Sequence, residues 1–495
     1  MTTPADRLRS LGHRLVDRLA DHLDHVGAGA EAVLVPGDPD ALAASLGELA
    51  ADPAADPGAT LDELVDLTLA WSNRIHHPAY MGHQVAPSLP EGAVVELLVA
   101  LLNNGMAIRE MGQLQTAAEE RVVAWLCERV GFGAGAGGLL CHGGSLGNLT
   151  ALLAARRAKL GAASWSDGLV GAGEERRPAL LVSEQAHYCV ARAAGVMGWG
   201  SAGAVPVATD AAFRLDPADL PRALERARDA GREPLAVVAS SCTTAVGAFD
   251  PLPAIADFCA DHDLWLHVDG AHGASQVLSA RHAAPLAGLE RVDSLAWDLH
   301  KLAGLPALNT AVLFRDARHA EASFQQDASY LFEDDAAAVS GAGAPGTTGA
   351  APAAQGTSHD LGKRTLECTK RGMGLVAWVT LRLFGTDAFA ARIDRQVDNG
   401  RALYERLAAA PDFEPAHEPE TNILCFRHRP DGVAPGPELD AHQARLRRAV
   451  VDGGSHYLGT TELRGATWLR VALMNPATGQ AELEGLLDVL RAAAS

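Results

Sequence analysis

Lysine is scarce in this chain. Besides Lys301 there are only Lys159, Lys363 and Lys370, and arginine supplies nearly all the remaining positive charge. Lys301 stands in DSLAWDLHKLAG, directly after His300 and inside an apolar run. A primary amine there can condense with a carbonyl, which a guanidinium cannot do. Upstream, LWLHVDGAHGAS is a short apolar run that ends in Asp269. Further upstream, GLLCHGGSLGNLTALLAARRAK reads as a buried strand, a turn at Gly143 and Gly144, and Ser145 capping an apolar-periodic helix. An amine for an aldehyde, a carboxylate for a ring nitrogen and a helix start for a phosphate are three attachments that pyridoxal phosphate requires. Gly144 and Ser145 are the expected anion site, with His300 as a third contributor.

Each signal has an ordinary reading. An Asp at a strand end is more often a turn or cap residue, and Gly-Gly-Ser before a helix is a common strand-to-helix turn. Their order and joint presence carry the cofactor reading. The stretch DHDLWLHVDGAH also invites a metal reading through His262, His267, Asp269 and His272, since alternation places His267 and Asp269 on one strand face. No second ligand cluster accompanies them and the lysine would go unexplained, so no metal is expected.

With these residues in place, the chain resembles the group II pyridoxal-dependent decarboxylases, which include the glutamate, cysteine sulfinate, diaminobutyrate and aromatic amino acid decarboxylases. The resemblance covers most of the chain. It is carried by HPAYMGHQ, CHGGSLGNLTAL, LLVSEQAHYCVARAAG, VVASSCTTAVGAFDPL, LHVDGAHGA, DSLAWDLHKLAG, QQDASYLF, RTLECTKR and LRVALMNPATG. It implies that His187 stacks on the cofactor ring, that Ala271 packs near its other face and that Thr244 lies near the ring substituents. It further implies that Asp269 pairs with the ring nitrogen and that Lys301 carries the Schiff base. Arg470 falls where acidic-substrate members place an arginine against the substrate carboxylate, and His83 and Gln84 fall in a pocket-lining region. Taken alone, His187 reads as a helix-start histidine, Thr243 and Thr244 as turn residues, Arg470 as an ion-pair partner, and His83 and Gln84 as a polar loop.

The elements that must position these residues follow from periodicity. Leu8, Leu11, Leu15, Leu19, Leu23 and Val26 recur at helical spacing. In the resembling family that segment packs across a dimer, whereas docking within one chain is the plainer outcome. From residue 86, GLLCH, ALLVS, LAVVAS, LWLHVD and DSLAW read as short buried strands alternating with helices, each candidate cofactor residue lying at or just after one. The expected fold is therefore α/β. It has a large domain with a mostly parallel sheet, of the fold type I transferase-like class that the resemblance implies. The expected domains are an N-terminal helical segment at 1–85, the large domain at 86–372, and a small C-terminal α+β domain at 373–495.

Residues 333–362, rich in Gly, Pro and small side chains, are expected to form a long flexible loop. The family places a proton-donating tyrosine on its catalytic lid there. Ungapped alignment from Tyr330 puts Ala338 at that position, and no tyrosine occurs between Tyr330 and Tyr404. His359 is the obvious acid-base side chain at the loop's end, apart from carboxylates.

Composition bounds the remaining possibilities. A hydrophobic share of 48% and a charged share of 21% suit a soluble globular protein. A net charge of -20 argues against nucleic acid or an anionic membrane as partner. Seven scattered cysteines with no CxxC pair suggest a reducing compartment, and the N-terminus resembles no signal peptide. No uninterrupted apolar stretch reads as a bilayer span. A cytoplasmic homodimer acting on an amino acid, with active sites at the subunit interface, is the expectation. The expected reaction is alpha-decarboxylation to an amine and CO2. The alternative keeps the cofactor but diverts the carbanion to an aldehyde or to side-chain cleavage, and a non-catalytic scaffold is the third.

Overall fold

The computed structural model describes residues 3–47, 56–171, 174–324, 328, 331 and 359–495; residues 333–358 of the expected loop, with Tyr330 and Ala338, lie outside them. By internal contacts the chain divides into two units. One comprises Met1–Pro87, Asp398–Glu418 and Asn422–Ser495, the other Ser88–Val397 and Pro419–Thr421.

The first unit begins with helix α1 (Pro4–Gly27), opened by Thr3 and Asp6, whose side chains and backbone amides bond reciprocally in a capping box. Its ion pairs Arg14–Asp62 and Arg18–Asp66 join it to helix α2 (Pro57–Trp71). The leucine stripe is only partly covered: Val26 is the one buried residue of α1, while Leu8 and Leu19 are 42% and 41% exposed.

The second unit holds the sheet. Helices α3 (Pro90–Leu102) and α4 (Gln113–Arg129) precede strand β1 (Gly137–Cys141), and helix α5 (Gly144–Leu160) follows it. Then come β2 (Pro178–Ser183), helix α6 (Cys189–Val196), β3 (Ala204–Val207), β4 (Glu233–Ser240), β5 (Trp265–Asp269), β6 (Ser294–Asp298) and β7 (Thr310–Phe314). The seven strands lie in the order β1-β7-β6-β5-β4-β2-β3. All neighbours from β6 to β3 pair in parallel, and β7 runs antiparallel to both β6 and β1. The parallel strands are almost wholly buried and mostly apolar because helices cover the faces. Ala151, Leu152, Ala154 and Ala155 of α5 share one buried cluster with Leu180, Val182, Leu235, Val238 and Val312.

Strands β3 and β7 were not expected. AVPV is short and contains Pro206, which is tolerated because β3 is the sheet edge. TAVLF is a buried apolar run whose reversed direction no local pattern reveals.

Helix α7 (Met373–Ala409) also departs from expectation. By length and composition it could cross a membrane. Gly385, however, leaves the helical region at φ 71° and ψ 170°. The part before it is roughly 18 Å long, short of a ~30 Å hydrocarbon core. Leu375 and Val376 there pack with Val95, Val99 and Ala118. That packing is why the large unit extends to Val397 rather than to the expected residue 372. The rest of the first unit is an antiparallel sheet, β8 (Phe413–Pro415), β9 (Ile423–His428), β11 (Ala466–Ala472) and β10 (Gly459–Leu463) in that order, with helices α8 (Pro437–Gly453) and α9 (Gln480–Ala494). Val33, Ala79, Tyr80 and Met81 enter its core beside Leu403, Leu424, Leu469 and Leu483. The N-terminal segment is thus built into the same unit as the C-terminal one.

Candidate active site

Lys301 lies in the loop between β6 and β7. Its backbone N–H donates to Asp298 O at 3.3 Å, and its carbonyl accepts from Gly304 N at 2.9 Å. Its Nζ stands 3.0 Å from Asp298 Oδ2, and the two side chains are 23% and 2% exposed. Asp298 is the last residue of β6, directly opposite Thr310, the first of β7. Thr310 Oγ1 donates to Asp298 Oδ1 at 2.6 Å, and His300 Nε2 lies 3.7 Å from Oδ2. Burial pulls the Lys301 ammonium down, but the charges of Asp298 and Asp269 and the Asp298 hydrogen bond outweigh it, so its pKa lies above that of an ordinary lysine. Sequence reasoning missed Asp298. Its signal was an acid three residues before the lysine, but its partner Thr310 depends on the unexpected strand β7.

Asp269 ends β5, the strand beside β6, and is 9% exposed. Its Oδ1 accepts the Ala271 N–H at 3.1 Å. Burial pushes this carboxyl above its ordinary range, opposed by the charge of Lys301 and the Ala271 amide. A protonated ring nitrogen would supply a directly paired positive charge to this buried carboxylate. His187 follows β2, and its Nδ1 accepts the Cys189 N–H at 3.3 Å, which leaves Nε2 to carry the proton of the neutral ring. Burial lowers its pKa, favouring that neutral form. Thr243 is the turn residue: its Oγ1 accepts from Ala248 N at 3.1 Å and its carbonyl from Gly247 N at 2.8 Å. Thr244 follows it, half-buried.

The anion turn differs from expectation in one respect. Gly143, at φ 94°, is the N-cap of α5, no side chain caps the helix, and Ser145 lies within the first turn. The first-turn amides are therefore not taken by a cap, as an incoming phosphate requires. A Cβ on Gly144 would lie 3.0 Å from both Asp298 carboxylate oxygens and 3.3 Å from Ala271 Cβ. The bare glycine keeps open a space that joins the helix start, Ala271 and the Lys301 partner. His300 Nδ1 is 3.1 Å from the Asn309 amide nitrogen, which anchors the ring at the start of the same loop. These residues fit pyridoxal phosphate: an amine, a buried acid with no ion-pair partner within 4 Å among the described residues, an aromatic face and an uncapped helix start.

The metal reading fails at His267. Its Nδ1 bonds Ser294 Oγ at 2.9 Å and its Nε2 bonds Asn148 Oδ1 at 2.8 Å, leaving no ring nitrogen for a cation. Burial lowers its pKa to about 4.

The expected substrate residues belong to the first unit. Arg470, on β11 and 8% exposed, donates through Nη1 to Gly82 O at 3.3 Å. The next residue, His83, places Nε2 3.1 Å from the Tyr457 hydroxyl. Burial, then the charges of Arg470 and Arg447, hold the His83 pKa down. Gln84 is half-buried beside them in sequence. Tyr457, which sequence reasoning did not single out, also stacks on Tyr80 at 5.2 Å. His359 is in the second unit, with Nδ1 2.8 Å from Glu120 Oε1 on α4.

Comparison with known proteins identifies the family and the fold. The profile of the pyridoxal-dependent decarboxylase conserved domain matches residues 48–429. The chain is 28% identical to an aromatic-L-amino-acid decarboxylase of Bacillus atrophaeus over 99% of its length and 96% of that protein. It is 30% identical to the L-2,4-diaminobutyrate decarboxylase of Rhizobium meliloti over 87% and 81%. The crystal structure of mouse CSAD superposes with a TM-score of 0.87 at 26% identity, covering 99% of both chains. The anion turn follows β1, the buried acid ends β5 and the lysine follows β6 in a fold shared with such enzymes, and the chain belongs to the pyridoxal-dependent decarboxylase family of amino acid carboxy-lyases.

Proposed function

We propose that this enzyme removes the alpha carboxylate of an L-amino acid and returns an amine, with Lys301 as the lysine that binds the cofactor covalently. The observation that carries the assignment is the position of Lys301: its Nζ is held 3.0 Å from a buried carboxylate, one strand away from Asp269. When bound, pyridoxal phosphate supplies an electron-accepting ring that stores the pair released with CO2. Gly144, Ser145 and His300 hold the phosphate, Asp269 keeps the ring nitrogen protonated, and Ala271, Thr244 and His187 bound the ring. Arg470, with His83 and Gln84, receives a carboxylate of the substrate, and a bidentate guanidinium suits either an alpha or a side-chain acid. Borohydride reduction of the holoenzyme followed by peptide mapping tests the first step. The label is expected on Lys301, and a label on Lys159, Lys363 or Lys370 overturns the assignment.

A second outcome is favoured by one observation, the absence of any tyrosine between Tyr330 and Tyr404. His359, oriented by Glu120, is the proton donor that we assign in its place. His359→Phe should then keep CO2 release but shift product from amine toward aldehyde and ammonia, with dissolved O2 taking up the electron pair and leaving as hydrogen peroxide, read by amine, aldehyde, ammonia and peroxide assays. An unchanged amine yield would make this histidine a bystander.

A homodimer is part of the same reading. On α3, Val95 and Val99 face inward while Val94, Leu98 and Leu101, at 64%, 46% and 62% exposure, form an apolar stripe on the other side. A second copy of the chain is the occupant proposed for it. A cytoplasmic location belongs to the same proposal.

A further inference from the structure

The reading of Lys301 as the covalent lysine leaves one group at the site without a task. Asp298 is almost wholly buried, and burying a carboxylate costs several kcal/mol unless a cation or hydrogen bonds compensate. Here compensation comes from Lys301 Nζ at 3.0 Å, the Thr310 hydroxyl at 2.6 Å and, more distantly, His300 Nε2 at 3.7 Å. Gly144 admits the carboxylate to the start of α5, where a side chain would push against both its oxygens. The hairpin formed by β6 and β7 fixes the geometry, since Asp298 and Thr310 are register partners.

We infer that Asp298 is the resting partner of Lys301: it holds the lysine nitrogen as an ammonium whenever that nitrogen is not covalently engaged, and gives it up when the nitrogen condenses with an aldehyde. The inference rests on the proposed role of Lys301. Condensation requires the ammonium to lose one proton to solvent. The neutral amine then bonds the aldehyde carbon, the aldehyde oxygen departs as water, and a C=N bond remains. An adjacent carboxylate therefore opposes loading by stabilising the charged form, and favours displacement of the lysine by an incoming substrate amine. The other groups that act on Lys301 are Asp269, Cys242 and His187, and His300 faces Asp298. Of these, Asp298 stands within hydrogen-bonding distance of the lysine nitrogen, at 3.0 Å.

The test follows the absorbance of the C=N bond after mixing cofactor-free protein with pyridoxal phosphate or with pyridoxal, at non-saturating concentration near pH 8. Asp298→Asn keeps the size of the side chain and an acceptor for Thr310 but removes the charge. It should raise the condensation rate about tenfold, because the lysine loses the neighbouring charge and the hydrogen bond that hold its pKa up. The gain should be the same with pyridoxal, which has no phosphate. A gain confined to pyridoxal phosphate would show that Asp298 acts on the phosphate instead, and an unchanged or slower rate would also overturn the inference. Thr310→Val provides a check that does not depend on the folding of the first variant. It leaves the charge, deprives it of a competing donor, and should slow condensation a few-fold; an equal or faster rate counts against the inference. Mapping of the reduced adduct separates the outcomes. A label away from Lys301 refutes the assignment of the covalent lysine, whereas a label on Lys301 with unaltered rates refutes only the role of Asp298.

Discussion

Asp269 and Asp298 end neighbouring strands, yet they ask for different partners. Asp298 has its cation within the chain, whereas Asp269 is buried with the Ala271 N–H as a backbone donor and a carboxyl driven upward by burial. Asp269→Asn removes the charge that would keep a ring nitrogen protonated, so kcat should fall by about a hundredfold or more while cofactor remains bound through its phosphate. Turnover at saturating pyridoxal phosphate, with bound cofactor measured by absorbance, checks this; a near-normal kcat would remove Asp269 from the mechanism. At this scale much was readable from the sequence. Lys301 stood out because lysine is scarce, and Asp269 because it closes an apolar run. Asp298 did not, because DLHK shows an acid but not the strand that brings Thr310 to it. Ser145 was misplaced as a cap because Gly143 reaches a φ of 94° that gives the cap position to glycine.

The five expected strands formed because buried parallel strands are continuous apolar runs. The direction of β7 depends on pairing with β6 and β1, which local sequence does not encode. One turn between elements makes a pH-dependent prediction. Asp250, fully buried after β4, accepts Leu215 N and Ser240 N, both at 2.7 Å, and so ties the end of β4 to the loop after β3. Burial raises its pKa to about 7, against an ordinary 3.8. Between those values the folded protein binds a proton that the unfolded chain does not. Stability should therefore fall as pH rises from about 4 to about 7, by on the order of a few kcal/mol at most, and this contribution should level off above 7. Asp250→Asn turns an amide toward one of two N–H donors. It should cost about 1–3 kcal/mol and abolish this part of the pH dependence. Thermal denaturation of both proteins across pH 5 to 8 would show it, and parallel curves would refute the assignment.

At the scale of the molecule, the exposed stripe on α3 predicts association. Leu98→Glu places a charge in its middle without touching the buried face, and should convert a dimer to monomers in sedimentation, since an unpaired buried charge costs several kcal/mol. A dimer that persists would locate the interface elsewhere. The partition into units was the least legible feature. Residues 1–87 join 398–418 and 422–495, a pairing of distant segments that periodicity cannot show. That pairing also has a consequence for biosynthesis. Val33, Ala79, Tyr80 and Met81 leave the ribosome early, but Leu424, Leu469 and Leu483, which share their core, are made only after the whole sheet-bearing segment. At roughly 5–20 residues per second, the first segment waits some tens of seconds with its core residues and the leucine face of α1 uncovered. Apolar residues of the first segment stay uncovered through that interval, and the unit built from both ends of the polypeptide closes last.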